Sequence, residues 1–160
     1  MRTLLPLLSR YASYGSALSL VAMMLVTVAD VSSRAFANLP ITGAYDLVQL
    51  FLVGTVFLSI PEVFLRGENI GVDFVDHLVG PRAISLLKMV ARFLAFVFVG
   101  VLLWQMIAPA LDAMRFHEVS PDLSIPMIVH WALMVAGIAL SLAAAARILL
   151  EGFPRVREER

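Results

Sequence analysis

Four stretches of this chain run without Asp, Glu, Lys or Arg: Tyr11 to Ala29, Leu47 to Pro61, Phe93 to Leu111 and Leu123 to Ala146, of 19, 15, 19 and 24 residues. Crossing roughly 30 Å of hydrocarbon at about 1.5 Å per residue takes about 20 apolar residues. The second run reaches that length by starting near Thr42 or by continuing through Pro61 and Glu62 to Arg66. Glu62 then sits near the membrane face, where a carboxylate costs far less than at mid-depth. Composition agrees with four spans: 61% of the 160 residues are hydrophobic and 15% charged, with a mean hydropathy of +0.91. A soluble domain holds roughly 45–50% and about 25% respectively, and one this short cannot hide so much apolar surface. The reading is an all-α integral membrane protein, a single membrane domain over residues 1–160, with spans near 11–34, 44–65, 88–111 and 124–147.

The first run reads as a retained helix rather than a leader. Its apolar core exceeds the usual ~7–15 residues, and Asp30 and Arg34 separate it from Ala35-Phe36-Ala37, which resembles a cleavage site. Orientation follows from the basic residues. Ten of the twelve precede the first span (Arg2, Arg10), join the second to the third (Arg66, Arg82, Lys88, Arg92) or follow the fourth (Arg147, Arg155, Arg157, Arg160). The other two connections hold only Arg34 and Arg115. Both termini are therefore expected in the cytoplasm. A formal net charge of zero offers no basic footprint for nucleic acid. The absence of cysteine removes disulfides, thiolate metal sites and cysteine nucleophiles.

The connections carry further signals. Asp30 and Arg34 stand four apart, one helical turn, and can pair at the outer boundary. Asn38, Pro40 and Gly43 are turn formers in a short outer loop. In the inner connection Val72, Phe74, Val75, Leu78 and Val79 share one arc of a helical wheel, with Asp73, Asp76 and His77 on the rest. This predicts a short amphipathic helix over about 72–79, lying in the interface between spans two and three. Gly80-Pro81 ends it, and Pro81 can open the next helix. Ser85, Lys88 and Arg92 share a face of that helix, with Arg82 nearby, so the long basic side chains can snorkel to lipid headgroups. On the second outer connection Pro126 suits a first helical turn and Ser124 a cap. Trp131 reads as an interfacial anchor.

Chemistry is harder to find. The four apolar cores hold no acid or base except His130, about 10 Å along a helix from Leu123, whose ordinary role is a buried hydrogen-bonding residue. His77 and His117 fall on opposite sides and cannot share a haem with it. No phosphate loop, metalloprotease motif or nucleophile–base pair appears, so no catalytic residue, metal or cofactor is assigned. Small residues do recur at helical spacing: Ala132, Ala136, Gly137, Ser141 and Ala145 in the fourth span, Gly54, Thr55 and Ser59 in the second. Such positions let backbones approach closely in lipid, within the chain or against another subunit.

Three motifs carry a resemblance. Arg34-Ala35-Phe36-Ala37-Asn38-Leu39-Pro40-Ile41 is followed by Asp46 entering the second span. Arg66-Gly67-Glu68-Asn69-Ile70-Gly71-Val72-Asp73 follows that span. Ser120 to Leu123 leads to Ile125-Pro126 before the last one. In this order and topology the chain resembles, over roughly residues 15–150, the small membrane subunit of tripartite ATP-independent periplasmic (TRAP) transporters. It departs from the family pattern where Asn69 replaces a common His, Asp46 a common Glu, and Tyr45 a common Trp.

The resemblance implies a non-catalytic bacterial inner-membrane subunit. It scaffolds a large permease that carries organic acids, often carboxylates, with sodium ions, and it helps dock a periplasmic substrate-binding protein. Carried over by position, Arg34, Asn38, Pro40 and Asp46 shape the outer end, with Ser120 and Pro126 in the third motif. Glu62, Arg66, Asn69 and Asp73 shape the inner end. The plainer reading of each is helix capping or interfacial anchoring. Two other functions fit a four-span chain: a self-sufficient small proton-coupled exporter with an essential carboxylate among Asp30, Asp46 and Glu62, and the membrane anchor of a redox complex.

Overall fold

The computed structural model describes residues 4–66 and 81–151. Four helices make up most of it: α1 (Leu4–Ala37), α2 (Ala44–Arg66), α3 (Pro81–Arg115) and α4 (Ile128–Glu151). Each contains a segment long and apolar enough to cross a membrane. At about 1.5 Å per residue, α2 and α4 are roughly 35 Å long and α1 and α3 roughly 50 Å. The two longer helices exceed the hydrocarbon thickness, so they tilt or project beyond it. The expected interfacial helix over 72–79 lies outside the described residues, as do Asn69 and Asp73.

Helix ends follow local chemistry. Asn38 takes a left-handed conformation (φ 53°) and its N–H bonds the Arg34 carbonyl at 3.1 Å. Asparagine tolerates this αL stop better than most residues, and Pro40 just beyond cannot continue a helix. Pro81 opens α3, where its missing N–H is no loss. At the other end of α3, His117 adopts φ 50° and the Glu118 N–H reaches the Ala113 carbonyl, a six-to-one closure of the Schellman kind.

The helices pack as a row in the order α1, α2, α4, α3. Among the described residues α3 touches neither α1 nor α2, and α1 meets α4 at few points. Close approach depends on small residues. Between α1 and α2, Ser16 donates its hydroxyl to the Thr55 carbonyl at 2.6 Å, and Gly54 faces Ser19 so closely that an added Cβ would lie 2.8 Å from its oxygen. Between α2 and α4, Gly137 sits against the backbone of Phe57. That contact has a covalent origin: Pro61, fully buried inside α2, has no N–H to give the Phe57 carbonyl four residues earlier. The freed carbonyl is left facing α4, where only glycine admits it. Ser141 then donates to the Gly137 carbonyl at 2.7 Å. Gly54, Thr55, Gly137, Ser141 and Ala145 thus serve packing within the chain, whereas Ala132 and Ala136 are exposed.

Candidate functional site

The polar chemistry gathers at one end of the row, opposite the start of α1 and the end of α4. Residues 118–127 fold there into a small hairpin closed by the Val119–Pro126 bridge. Its backbone bonds run from Ser120 N–H to the Ile125 carbonyl (2.9 Å) and from Met127 N–H to the Glu118 carbonyl (2.8 Å). Ser124 turns the chain with φ 53°. This hairpin corrects two expectations: α4 begins at Ile128, so Pro126 precedes the helix as a pairing residue, and Ser124 is a turn residue rather than its cap. The cause is long in reach. The hairpin is organised around a side chain from a different helix.

That side chain is Asp46, in the first turn of α2 and fully buried. Its Oδ2 accepts the Ser120 hydroxyl at 2.6 Å, the Leu123 N–H at 2.7 Å and the Asp122 N–H at 3.1 Å. Ser120 Oγ in turn accepts the Ile125 N–H at 3.0 Å. Three donors converging on one oxygen, with the positive end of the α2 dipole beneath, stabilise an anion there. Gly43 completes the joint. It adopts φ 81°, and an added Cβ there would run into the Leu123 side chain, 2.5 Å from Cδ2 and 2.6 Å from Cδ1. The hairpin therefore locks onto α2 by a polar and an apolar contact on either side of the same turn.

His130 stands in the first turn of α4. It is buried, as expected, but among the described residues neither ring nitrogen has a hydrogen-bond partner, and neither does Asp46 Oδ1. Its place in the first turn also corrects the expected depth, because the residues from Leu123 to Met127 belong to the hairpin and not to the helix.

A second polar knot ties α1 to the start of α2. Asp30 Oδ2 accepts Arg34 Nε at 2.9 Å, and its Oδ1 accepts the Ile41 N–H at 2.9 Å. Ser33 donates to the Leu39 carbonyl at 2.7 Å. The expected one-turn pair thus exists and does more than pair: it anchors the loop containing Pro40. An ion pair with Arg34 so exposed contributes little by itself, about 0.3–0.5 kcal/mol.

Of the motif residues, Arg34, Asn38, Pro40, Asp46, Ser120 and Pro126 all come together at this end of the row. Glu62 lies half-buried near the far end of α2, and it, Lys88 and Arg92 each have an interaction partner. The side chains of Arg66 and Arg82 are outside the described part, and Trp131 is half-buried beside His130. Among the described residues, no three His, Cys, Asp or Glu side chains stand close enough to hold a metal ion. Sequence reading missed that Asp46 is the hairpin's organising group. The bond spans 74 residues, and an acid in a first helical turn is ordinary.

Four apolar helices in a row, joined at one end by polar contacts between their connections, define a multi-pass helical membrane protein. The chain matches the family model of tripartite ATP-independent periplasmic transporters, DctQ component, over residues 23–155, and it belongs to that family, the small membrane subunit of TRAP transporters. No curated protein and no solved structure gives a match. The family works in a tripartite system with a large permease and a substrate-binding protein.

Proposed function

We propose that this chain is a non-catalytic scaffold: it holds the large, ion-coupled permease subunit in the inner membrane and offers part of the surface on which the periplasmic substrate-binding protein docks. Organic acids, carboxylates above all, are the cargo, and they cross through the larger subunit. The observation that carries this reading is the row itself. Helices set side by side, with α1 and α3 at the two edges, enclose no path of their own among the described residues and leave surface open to a neighbour.

The two carboxylates at this end support the same reading. Asp46 is committed to the hairpin and Asp30 to the α1–α2 loop, so neither is poised as an exporter's proton carrier. The basic bias places both termini in the cytoplasm, which puts the hairpin and the Asp30 loop on the periplasmic side, where a soluble binding protein arrives. Lys88, Arg92 and Trp131, together with Arg82, anchor the row at the lipid headgroups.

Purification from native membranes in a mild detergent tests the partnership. The expected result is a much larger multi-span protein recovered with this chain in fixed proportion. A chain that elutes alone, or only as pairs of itself, contradicts the proposal.

A further inference from the structure

The outward face of α3 carries a polar group that lipid cannot satisfy. Gln105 lies within the charge-free run Phe93 to Leu111, seven residues or about 10 Å along the helix from Asp112. It is exposed, and its amide makes no hydrogen bond among the described residues. The contrast with the hydroxyls is sharp: Thr27 and Thr55 return theirs to a carbonyl one turn back, which a short side chain can do. A glutamine amide has two donors and an acceptor oxygen to satisfy, and hydrocarbon offers it nothing.

Gln105 also lines an open groove with Val97, Gly100, Val101 and Trp104. Val99, buried on the opposite side, marks the face turned to α4, the one helix that α3 touches among the described residues. Trp104 is 80% exposed. Gly100, half-buried, borders the groove on its α4 side, where an added Cβ would meet Leu142 at 3.8 Å. About 10 Å of charge-free helix separates the amide from Asp112, so another membrane helix is the nearer source of a hydrogen-bonding partner.

We propose that this face of α3 seats a transmembrane helix of the large permease subunit, with Gln105 hydrogen-bonding to a polar group on that helix beside the exposed Trp104. The inference rests on the scaffold reading and names the surface through which it works. α1 stands at the opposite end of the row and serves as the control.

The chain has no cysteine, so single substitutions can carry a photocrosslinker cleanly. Val101→Cys, Gln105→Cys and, as a control on α1, Leu25→Cys are each labelled with benzophenone maleimide in the intact complex. Adducts with the large subunit are expected from positions 101 and 105 and not from 25. Adducts from 25 alone, or labelling at 101 and 105 of lipid or a second copy only, overturn the inference while the large subunit still co-purifies. Failure of the unsubstituted chain to recover a large subunit overturns the scaffold reading itself. In detergent, Gln105→Leu is expected to lower recovery of the large subunit by about threefold to tenfold, the range for one interhelical hydrogen bond. Gln105→Asn, which keeps the amide, retains most of it. Equal recovery with the leucine variant contradicts the role given to Gln105.

Discussion

Substituting Gly137 with leucine is expected to separate α2 from α4 and to destabilise the protein by about 3 kcal/mol or more, the upper end of what overpacking costs. Alanine should already be costly. A Cβ at this position meets the Phe57 backbone, 2.7 Å from its carbonyl carbon and closer still to the oxygen, and 2.9 Å from the Phe57 Cβ. Backbone cannot rotate aside, and Pro61 has already removed the internal bond that would draw the carbonyl away. Gly54 provides the contrast. A Cβ there meets the Ser19 hydroxyl, the movable end of a side chain, so Gly54→Ala should cost less than about 1 kcal/mol. Thermal unfolding in detergent, followed by the fluorescence of Trp104 and Trp131, separates the two. A Gly137→Ala protein that melts with the wild type would show that the helices do not meet there.

Removing the Asp46 carboxylate is expected to undo the hairpin while leaving the helices in place. Asp46→Ala deprives Ser120, Asp122 and Leu123 of their shared acceptor. The amides of Asp122 and Leu123 should then exchange hydrogen faster by roughly a factor of ten or more, the scale set by losing a charge-assisted bond. Asp46→Asn keeps one acceptor oxygen but adds donors to a cluster already full of them, so it should fall between. Ser120→Ala breaks one bond to the carboxylate and one from Ile125, and its effect should not add to that of Asp46→Ala, since both remove the same contact. Unchanged protection in the alanine variant contradicts the hairpin's dependence on this group. If binding-protein docking uses this end of the row, transport by the assembled system weakens in step.

How far the sequence alone could reach depended on the range of each interaction. The spans were legible because lipid solvation acts on every residue independently, so charge-free runs mark them. The start of α4 was not: Leu123 to Met127 are apolar enough for helix, but their backbone is claimed by Ser120 and by a carboxylate far away in sequence. Small residues at Gly54 and Gly137 announced close packing, yet the neighbour each one meets is a property of the assembled row. His130 shows the opposite case. Its burial could be read from its surroundings, but among the described residues the hydrogen bonds normally attending burial are absent from both ring nitrogens. Asp30 and Arg34 were readable as a pair since a helical turn brings them together, while the Asp30 bond to Ile41, eleven residues away, needed the loop to fold first.

Reconstitution decides the central claim. Liposomes containing this chain alone should not accumulate a carboxylate in response to an inward sodium gradient with the binding protein supplied outside, whereas liposomes containing it together with the large subunit should. Uptake by the small subunit alone, above that of empty vesicles, would contradict the account.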